Sequence, residues 1–323
     1  MSTLTLKKLS VELNNPSITG QPERLRKIAL AVSAVGGAML TGVAGVSALV
    51  GYKVVKPRRR VMKVIPPNYL YKPERVSFKS TDGLNLKGFF YPNPNTNRAV
   101  IVCHGIHSSS ADMHVPAITF QQINYNVLTF DFRACGESEG FTMSAGFREM
   151  RDLLGAIKYL KTRPEVDPEK IVIMGYSMGG AATIMAAVLA PEIKAIITEG
   201  TFGSLNRVLD ANYRHFFRLP PIPFKVTAVM TSKMIGRVGW RDVEPEKALR
   251  LIQQKGRDLP ILIIHGEKDG VIPVTEALRL YEAAGSQKEL WIEPDAGHVV
   301  AYSVERAEYV SRISGFLDQF VKP

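Results

Sequence analysis

Gly175-Tyr176-Ser177-Met178-Gly179 is the segment that leaves the fewest folds open to this chain, because of what stands on either side of it. Ile171-Val172-Ile173-Met174 precedes it, apolar without alternation, the pattern of a strand buried on both faces. Residues 181–189, small and apolar, follow it and suit a helix. A serine between glycines at such a junction sits on a tight strand-to-helix turn with strained dihedrals. The small neighbours let the backbone bend and a second molecule approach.

The same alternation continues on both sides of the turn. Residues 99–103, 126–130, 170–174, 193–198, 260–264 and 289–292 read as strands, with helix-like periodicity between most of them, which implies βαβ units and a doubly wound sheet. Residues 75–80 and 86–91 alternate around Asp82-Gly83, a hairpin signal that places an antiparallel pair at the sheet edge. The expected fold class is therefore α/β, with a mostly parallel, eight-stranded sheet. Between Thr201 and about Lys247 no strand pattern occurs, and Leu219-Pro220-Pro221-Ile222-Pro223 interrupts the region. A short helical cap is expected there, at about residues 202–248, within a domain spanning 75–323.

The chain has a net charge of +11, and its distribution excludes a nucleic-acid-binding role. Residues 1–74 hold twelve Lys or Arg against three acids and so carry +9 of it, leaving the remainder close to neutral. Within them, residues 28–52 contain no charge, about the length an α-helix needs to cross a hydrocarbon core. The expected organisation is a basic tail at 1–27, a transmembrane helix at 28–52 and a basic, proline-containing linker at 53–74. The run is rich in Gly, Ala and Ser, so a cleaved signal peptide is the alternative reading. Lys53, Lys56, Arg58, Arg59, Arg60, Lys63 and Lys72 outnumber Arg24, Arg26 and Lys27, which favours a cytoplasmic domain on a single-pass anchor. Cys103 and Cys135 form no disulfide framework.

An unassisted serine hydroxyl is a weak nucleophile, so a histidine must take its proton and an acid must orient that histidine. Ser177 is the candidate nucleophile. His298, in Asp295-Ala296-Gly297-His298, follows the last strand and precedes the last helix, where a loop can reach back over Ser177. His104 and His265 end strands as His-Gly and suit turn structure, His107 and His114 lie in a loop, and His215 belongs to the cap. His104, His107 and His114 lack the usual spacing of a zinc site, and no metal is expected. Asp269, a few residues beyond a strand end, is the candidate acid, with Glu267 and Asp295 as rivals. The N–H groups of Met178 and Ile106 are the candidate oxyanion donors. The turn lacks G-x-G-x-x-G and no phosphate-binding lysine follows, so neither a nucleotide nor any other cofactor is expected.

His104-Gly105, the segment Gly175 to Gly180, His265-Gly266-Glu267-Lys268-Asp269 and Gly297-His298 together resemble the α/β-hydrolase superfamily over residues 75–323. Asp131-Phe132-Arg133-Ala134-Cys135-Gly136-Glu137-Ser138 is similar to a segment of the serine aminopeptidase, monoglyceride lipase and BEM46-like members, where the aspartate and arginine tie loops near the site. A short cap with an N-terminal membrane segment is most similar to the BEM46-like branch. The resemblance implies a serine hydrolase acting on an ester or thioester through an acyl-enzyme. An apolar acyl substrate is expected, with cap residues such as Phe202, Leu205, Phe216, Phe217, Met230 and Met234 offering an apolar wall. The catalytic rival is an aminopeptidase-type amide hydrolase, in which Glu199 or Glu267 would face the substrate amine. The rival of another class is a non-catalytic scaffold on the same fold.

Overall fold

Short apolar runs of five or six residues form the middle of the sheet. The computed structural model describes residues 21–57, 59–61, 69–215, 221–236 and 239–322. Eight strands lie in the order β1-β2-β4-β3-β5-β6-β7-β8: β1 Glu74–Lys79, β2 Asn85–Tyr91, β3 Ala99–Cys103, β4 Asn126–Phe130, β5 Ile171–Tyr176, β6 Ala195–Glu199, β7 Ile261–Gly266 and β8 Lys288–Glu293. The β1–β2 and β2–β4 pairs are antiparallel and the rest parallel. Residues of β3 to β7 are buried without exception, whereas β1 alternates and β8 is half-buried, as central and edge strands require.

Period-two alternation sorts the strand side chains onto two faces. Ile101, Cys103, Ile173, Ile196 and Ile263 pack against helices α3 (Glu149–Leu160), α4 (Met178–Ala187), α7 (Pro245–Gln254) and α8 (Val274–Ala283). Val102, Val172, Met174, Ile197 and Ile264 pack against α2 (His114–Gln122) and α10 (Arg306–Phe320), which follows the single turn α9 (Ala301–Val304). The chain leaves β3 outward to β4, then returns to β5 on the other side of β3. Loops after β3 and β5 therefore diverge and leave a crevice at the carboxyl ends of these strands.

The cap consists of α5 (Leu205–His215) and α6 (Pro221–Gly236). Phe202, Leu205, Val208 and Ala228 form a cluster with Ala181, Val243 and Ile272 that seats it on the domain. Arg207 binds Glu276 of α8 at 2.8 Å and Glu246 of α7 at 2.7 Å, and Glu276 also accepts from the backbone N–H groups of Gly203 and Ser204. The helix beginning at Pro245 joins the layer covering the sheet through Ala248, Leu249 and Ile252. Phe216, Phe217 and Leu219 lie outside the described residues.

A helix α1 (Gln21–Val55) precedes the domain, longer at both ends than the charge-free run, and its portion Glu23–Leu49 is long and apolar enough to cross a membrane. It therefore includes residues 53–55 of the stretch read as linker. Beyond it, Arg59 donates to the carbonyls of Gly136, Ser138 and Gly140 at 2.6–3.1 Å. Arg58 and residues 62–68 of the linker lie outside the described residues, as does the tail before residue 21.

One ion-pair group locks the hairpin end of the sheet. The Arg133 guanidinium, 3% exposed, binds fully buried Asp152 of α3 at 2.7 Å and Asp82 of the β1–β2 turn at 2.7 Å. Burial works against the Asp82 carboxylate, but hydrogen bonds from Arg133 and Ser80 outweigh it and hold the group well below the ordinary carboxylate range. Removing the cation strands a buried carboxylate. Arg133→Met is expected to cost about 3–5 kcal/mol, measured as the loss of unfolding free energy in guanidinium titrations.

Candidate functional site

The turn between β5 and α4 holds Ser177 at φ +53°, ψ −117°, outside the regions that L-residues favour. Two glycines make the turn sterically feasible. A Cβ on Gly175 would lie 2.5 Å from the backbone of Gly180, and one on Gly179 would lie 2.5 Å from the Cys103 carbonyl of the neighbouring strand. Ser177 N–H donates to the Glu199 carbonyl at 2.8 Å, and Thr201 Oγ1 donates to the Ser177 carbonyl at 3.2 Å. Met178 N–H opens α4, where the first N–H groups of a helix lack partners within it and carry the positive end of its dipole.

His298 reaches Ser177 from the loop after β8, with Nε2 3.1 Å from Oγ. Its Nδ1 lies 2.7 Å from Asp269 Oδ2. Asp269, after β7, accepts at Oδ1 from the N–H groups of Val271 and Ile272 at 2.8 and 2.9 Å. Burial would raise the Asp269 carboxyl, but the bonds from His298 and these backbone groups prevail, and its pKa is lowered. An ionised Asp269 fixes the proton on His298 Nδ1 and leaves Nε2 free to accept from the Ser177 hydroxyl.

The two rivals of Asp269 point elsewhere: Asp295 pairs with Lys268 at 2.6 Å at the surface, and Glu267 is exposed. His265 does more than end a strand. It is fully buried, with Nε2 2.9 Å from the Ile272 carbonyl and 3.5 Å from Asp269 Oδ2. Burial lowers its pKa, so a neutral ring packs behind the carboxylate.

The loop after β3 brings Gly105 and Ile106 to the same place. His104 Nε2 accepts from the Phe132 N–H at 3.0 Å, which puts the proton on Nδ1, 2.7 Å from the Gly105 carbonyl. Because C=O and N–H point opposite ways in a trans peptide, anchoring that carbonyl turns the Ile106 N–H away from His104. With these nitrogens engaged, and His114 Nδ1 2.9 Å from the Ala111 carbonyl, His104, His107 and His114 do not assemble as a ligand set. Among the described residues no cluster of metal-ligating side chains occurs. Asp131 steadies the same loop, accepting from the Ser110 N–H and hydroxyl at 2.8 Å.

A cleft of about 550 Å³ opens over these groups. Ser177, His298 and Glu199 line it together with Ile106, and Met113, Val115, Pro116, Val271 and Val299 give it largely apolar walls. The walls come from the segment before α2, the first turn of α2, and the loops after β7 and β8. Among the described residues, no cap side chain lines the cleft: Phe202 and Leu205 pack the cap onto the domain, while Met230 and Met234 face outward. The side chains of Tyr213, Ile222, Phe224 and Trp240 lie outside the described residues.

Sequence reading did not anticipate how Glu199 is held. Its carboxylate, 2% exposed, accepts from the Ala301 N–H at 3.0 Å and the Tyr309 hydroxyl at 2.9 Å, tying the start of α9, just past His298, to β6. Burial pushes its pKa from 4.5 up to about 7, against the pull of these bonds and of His298. A carboxyl raised on folding stabilises the fold fully below its unfolded pKa, and that contribution is lost as pH rises through the folded value. Thermal melts from pH 4.5 to 8 should show a falling contribution across that window, and Glu199→Gln should flatten it.

Comparison with known proteins bears on the family and the fold. Residues 119–323, more than half of the chain, match the prolyl oligopeptidase family. The Salmonella typhimurium protein YfhR is 30% identical over 260 residues, covering 74% of this chain and 80% of that one. The thiohydrolase apmlB of Arthrinium phaeospermum is 37% identical over 127 residues, 38% of this chain and 41% of that one. Among solved structures, the Pyrococcus furiosus esterase Pf2001 superposes with a TM-score of 0.69 at 27% identity, covering 84% of this chain and 99% of that one. With its eight-stranded sheet and its hydroxyl-bearing turn at the cleft floor, the chain belongs to the prolyl oligopeptidase family and is a hydrolase of the α/β-hydrolase type.

Proposed function

We propose that the protein is a serine hydrolase of the BEM46-like branch, held at a membrane by α1, that cleaves esters or thioesters of apolar acyl groups. The observation that carries the chemistry is the unbroken relay from Asp269 through His298 to Ser177, at 2.7 and 3.1 Å, on the floor of a cleft. His298 Nε2 takes the hydroxyl proton as Ser177 Oγ attacks the acyl carbon. The N–H groups of Met178 and Ile106 bind the oxyanion, and His298 returns the proton to the leaving oxygen or sulfur. Water, deprotonated by His298, then attacks the acyl-enzyme and releases the acid and Ser177. No step needs a cofactor.

The apolar walls of the cleft favour an acyl group over a charged one. An esterase and a thiohydrolase among the relatives support the same bond class. The family description favours the amide alternative, but the acids that reading requires are not available to a substrate amine. Glu199 is engaged by Ala301 and Tyr309 and its pKa is pushed up, and Glu267 is exposed and does not line the cleft. The charge-free run with its basic flanks supports a single-pass anchor with the hydrolase domain on the cytoplasmic side.

A fluorophosphonate probe should label the wild-type protein and fail to label Ser177→Ala; an unlabelled wild type favours the non-catalytic scaffold. Asp269→Asn should keep the fold and lower kcat by about 10⁴-fold, as loss of the imidazole tautomer does in such triads. Near-normal turnover would move the acid's role elsewhere. Across p-nitrophenyl esters of graded chain length, acyl-thioesters and aminoacyl amides, kcat/KM should rise with acyl length and be lowest for the amides.

A further inference from the structure

The cap helix α6 is largely apolar, yet part of it faces outward. Its residues Pro221–Gly236 include only two charges, Lys225 and Lys233. Ala228 and Ser232 are fully buried, whereas Val226, Met230 and Met234, four residues apart on one face, are 47, 61 and 83% exposed. A helix of this composition ordinarily lies inside a protein or against lipid.

Its inner face does not pack on the hydrolase domain alone. It packs on the last turns of α1, in an extensive helix–helix contact. Gly51 fits so closely that a Cβ there would lie 2.6 Å from the Ala228 carbonyl and 3.2 Å from Thr231 Cβ, and Val55 lies against Gly236. Ser47, one turn earlier, is buried as well. Gly51 meets 228–232 and Val55 meets 236, so the helices run side by side in the same direction. The first turns of α6 therefore lie level with the apolar run of α1, and Lys233 lies level with its basic end, which starts at Lys53.

Two further contacts tie that level to the cleft. Arg60, five residues past the end of α1, lies 3.8 Å from Asp112, which lines the cleft. Arg59 holds the Gly140 carbonyl, next to Phe141, whose side chain is 90% exposed.

We propose that the outward face of α6 is embedded beside α1 in the boundary layer of an anionic bilayer, seating the cleft rim at the lipid surface. The inference rests on the membrane-anchor reading and adds a second attachment. Lipid is the occupant that fits, because α6 lies side by side with a helix long and apolar enough to cross a membrane, its first turns level with that helix's apolar run. Exposed Lys56 and Lys233, at the basic end of α1 and level with it, suit phosphate headgroups. A substrate dissolved in the bilayer would then reach Ser177 without crossing water.

Both native cysteines are buried, so single cysteines placed by Met39→Cys, Met230→Cys, Met234→Cys and Leu278→Cys accept a fluorophore selectively. The full chain is reconstituted in phosphatidylcholine–phosphatidylserine vesicles and quenched either by doxyl-labelled lipid or by aqueous iodide. Labels at 39, 230 and 234 should be quenched by doxyl lipid roughly threefold more than the label at 278, with the order reversed for iodide. Lipid quenching at 39 combined with iodide quenching at 230 and 234 overturns the inference and leaves the anchor intact. Iodide quenching at all positions overturns the anchor as well. Positions 230 and 234 shielded from both quenchers would mean that a protein, not lipid, covers α6. In phosphatidylcholine alone, doxyl quenching at 234 should fall; unchanged quenching overturns the requirement for anionic lipid.

Discussion

The backbone of one residue sets the terms for the rest of this site. Ser177 is held at φ +53° between a buried strand and a helix, a conformation that costs about 1–3 kcal/mol and persists only where its surroundings over-determine it. They do so through close approach. Gly175 and Gly179 leave no room for side chains, and the register of β5 against β3 and β6 fixes both flanks of the turn. The hydroxyl is thereby carried out of the sheet and presented at the mouth of a helix.

The loops that converge on that hydroxyl have little regular structure, and each is fixed by a buried polar group bonded to backbone. His104 holds the loop after β3, Asp131 the segment before α2, Asp269 its own turn, and Glu199 the chain just beyond His298. A buried polar atom without a partner costs about 1–3 kcal/mol, so these bonds select one conformation of each loop. A rigid constellation follows from many local satisfactions, in a cleft whose walls are otherwise apolar.

Much of this was legible beforehand, for reasons that differ from element to element. The eight strands are readable because burial on two faces demands unbroken β-branched runs, and edge strands alternate. The hairpin is readable at Asp82-Gly83, where Gly83 takes φ +92°. Ser177, Asp269 and His298 stand out because each follows a strand at one end of a parallel sheet. The bonds by which Glu199 holds the chain past His298 left no such mark, since its partners lie 102 and 110 residues away on other elements. The cap misled for a related reason. Its apolar residues are visible, but Met230 and Met234 turn away from the cleft and the described walls come from other loops.

The amino-acid sequence by itself determined the fold class, the position of the serine turn and the segregation of positive charge around one long apolar helix. All three depend on periodicity, composition and local backbone chemistry, which neighbouring residues carry. Tertiary structure alone decided which carboxylate meets which imidazole, and that the first helix packs on the cap. Those outcomes depend on distances of a few ångströms between segments far apart along the chain, set by strand order and by close contact at Gly51 and Gly236.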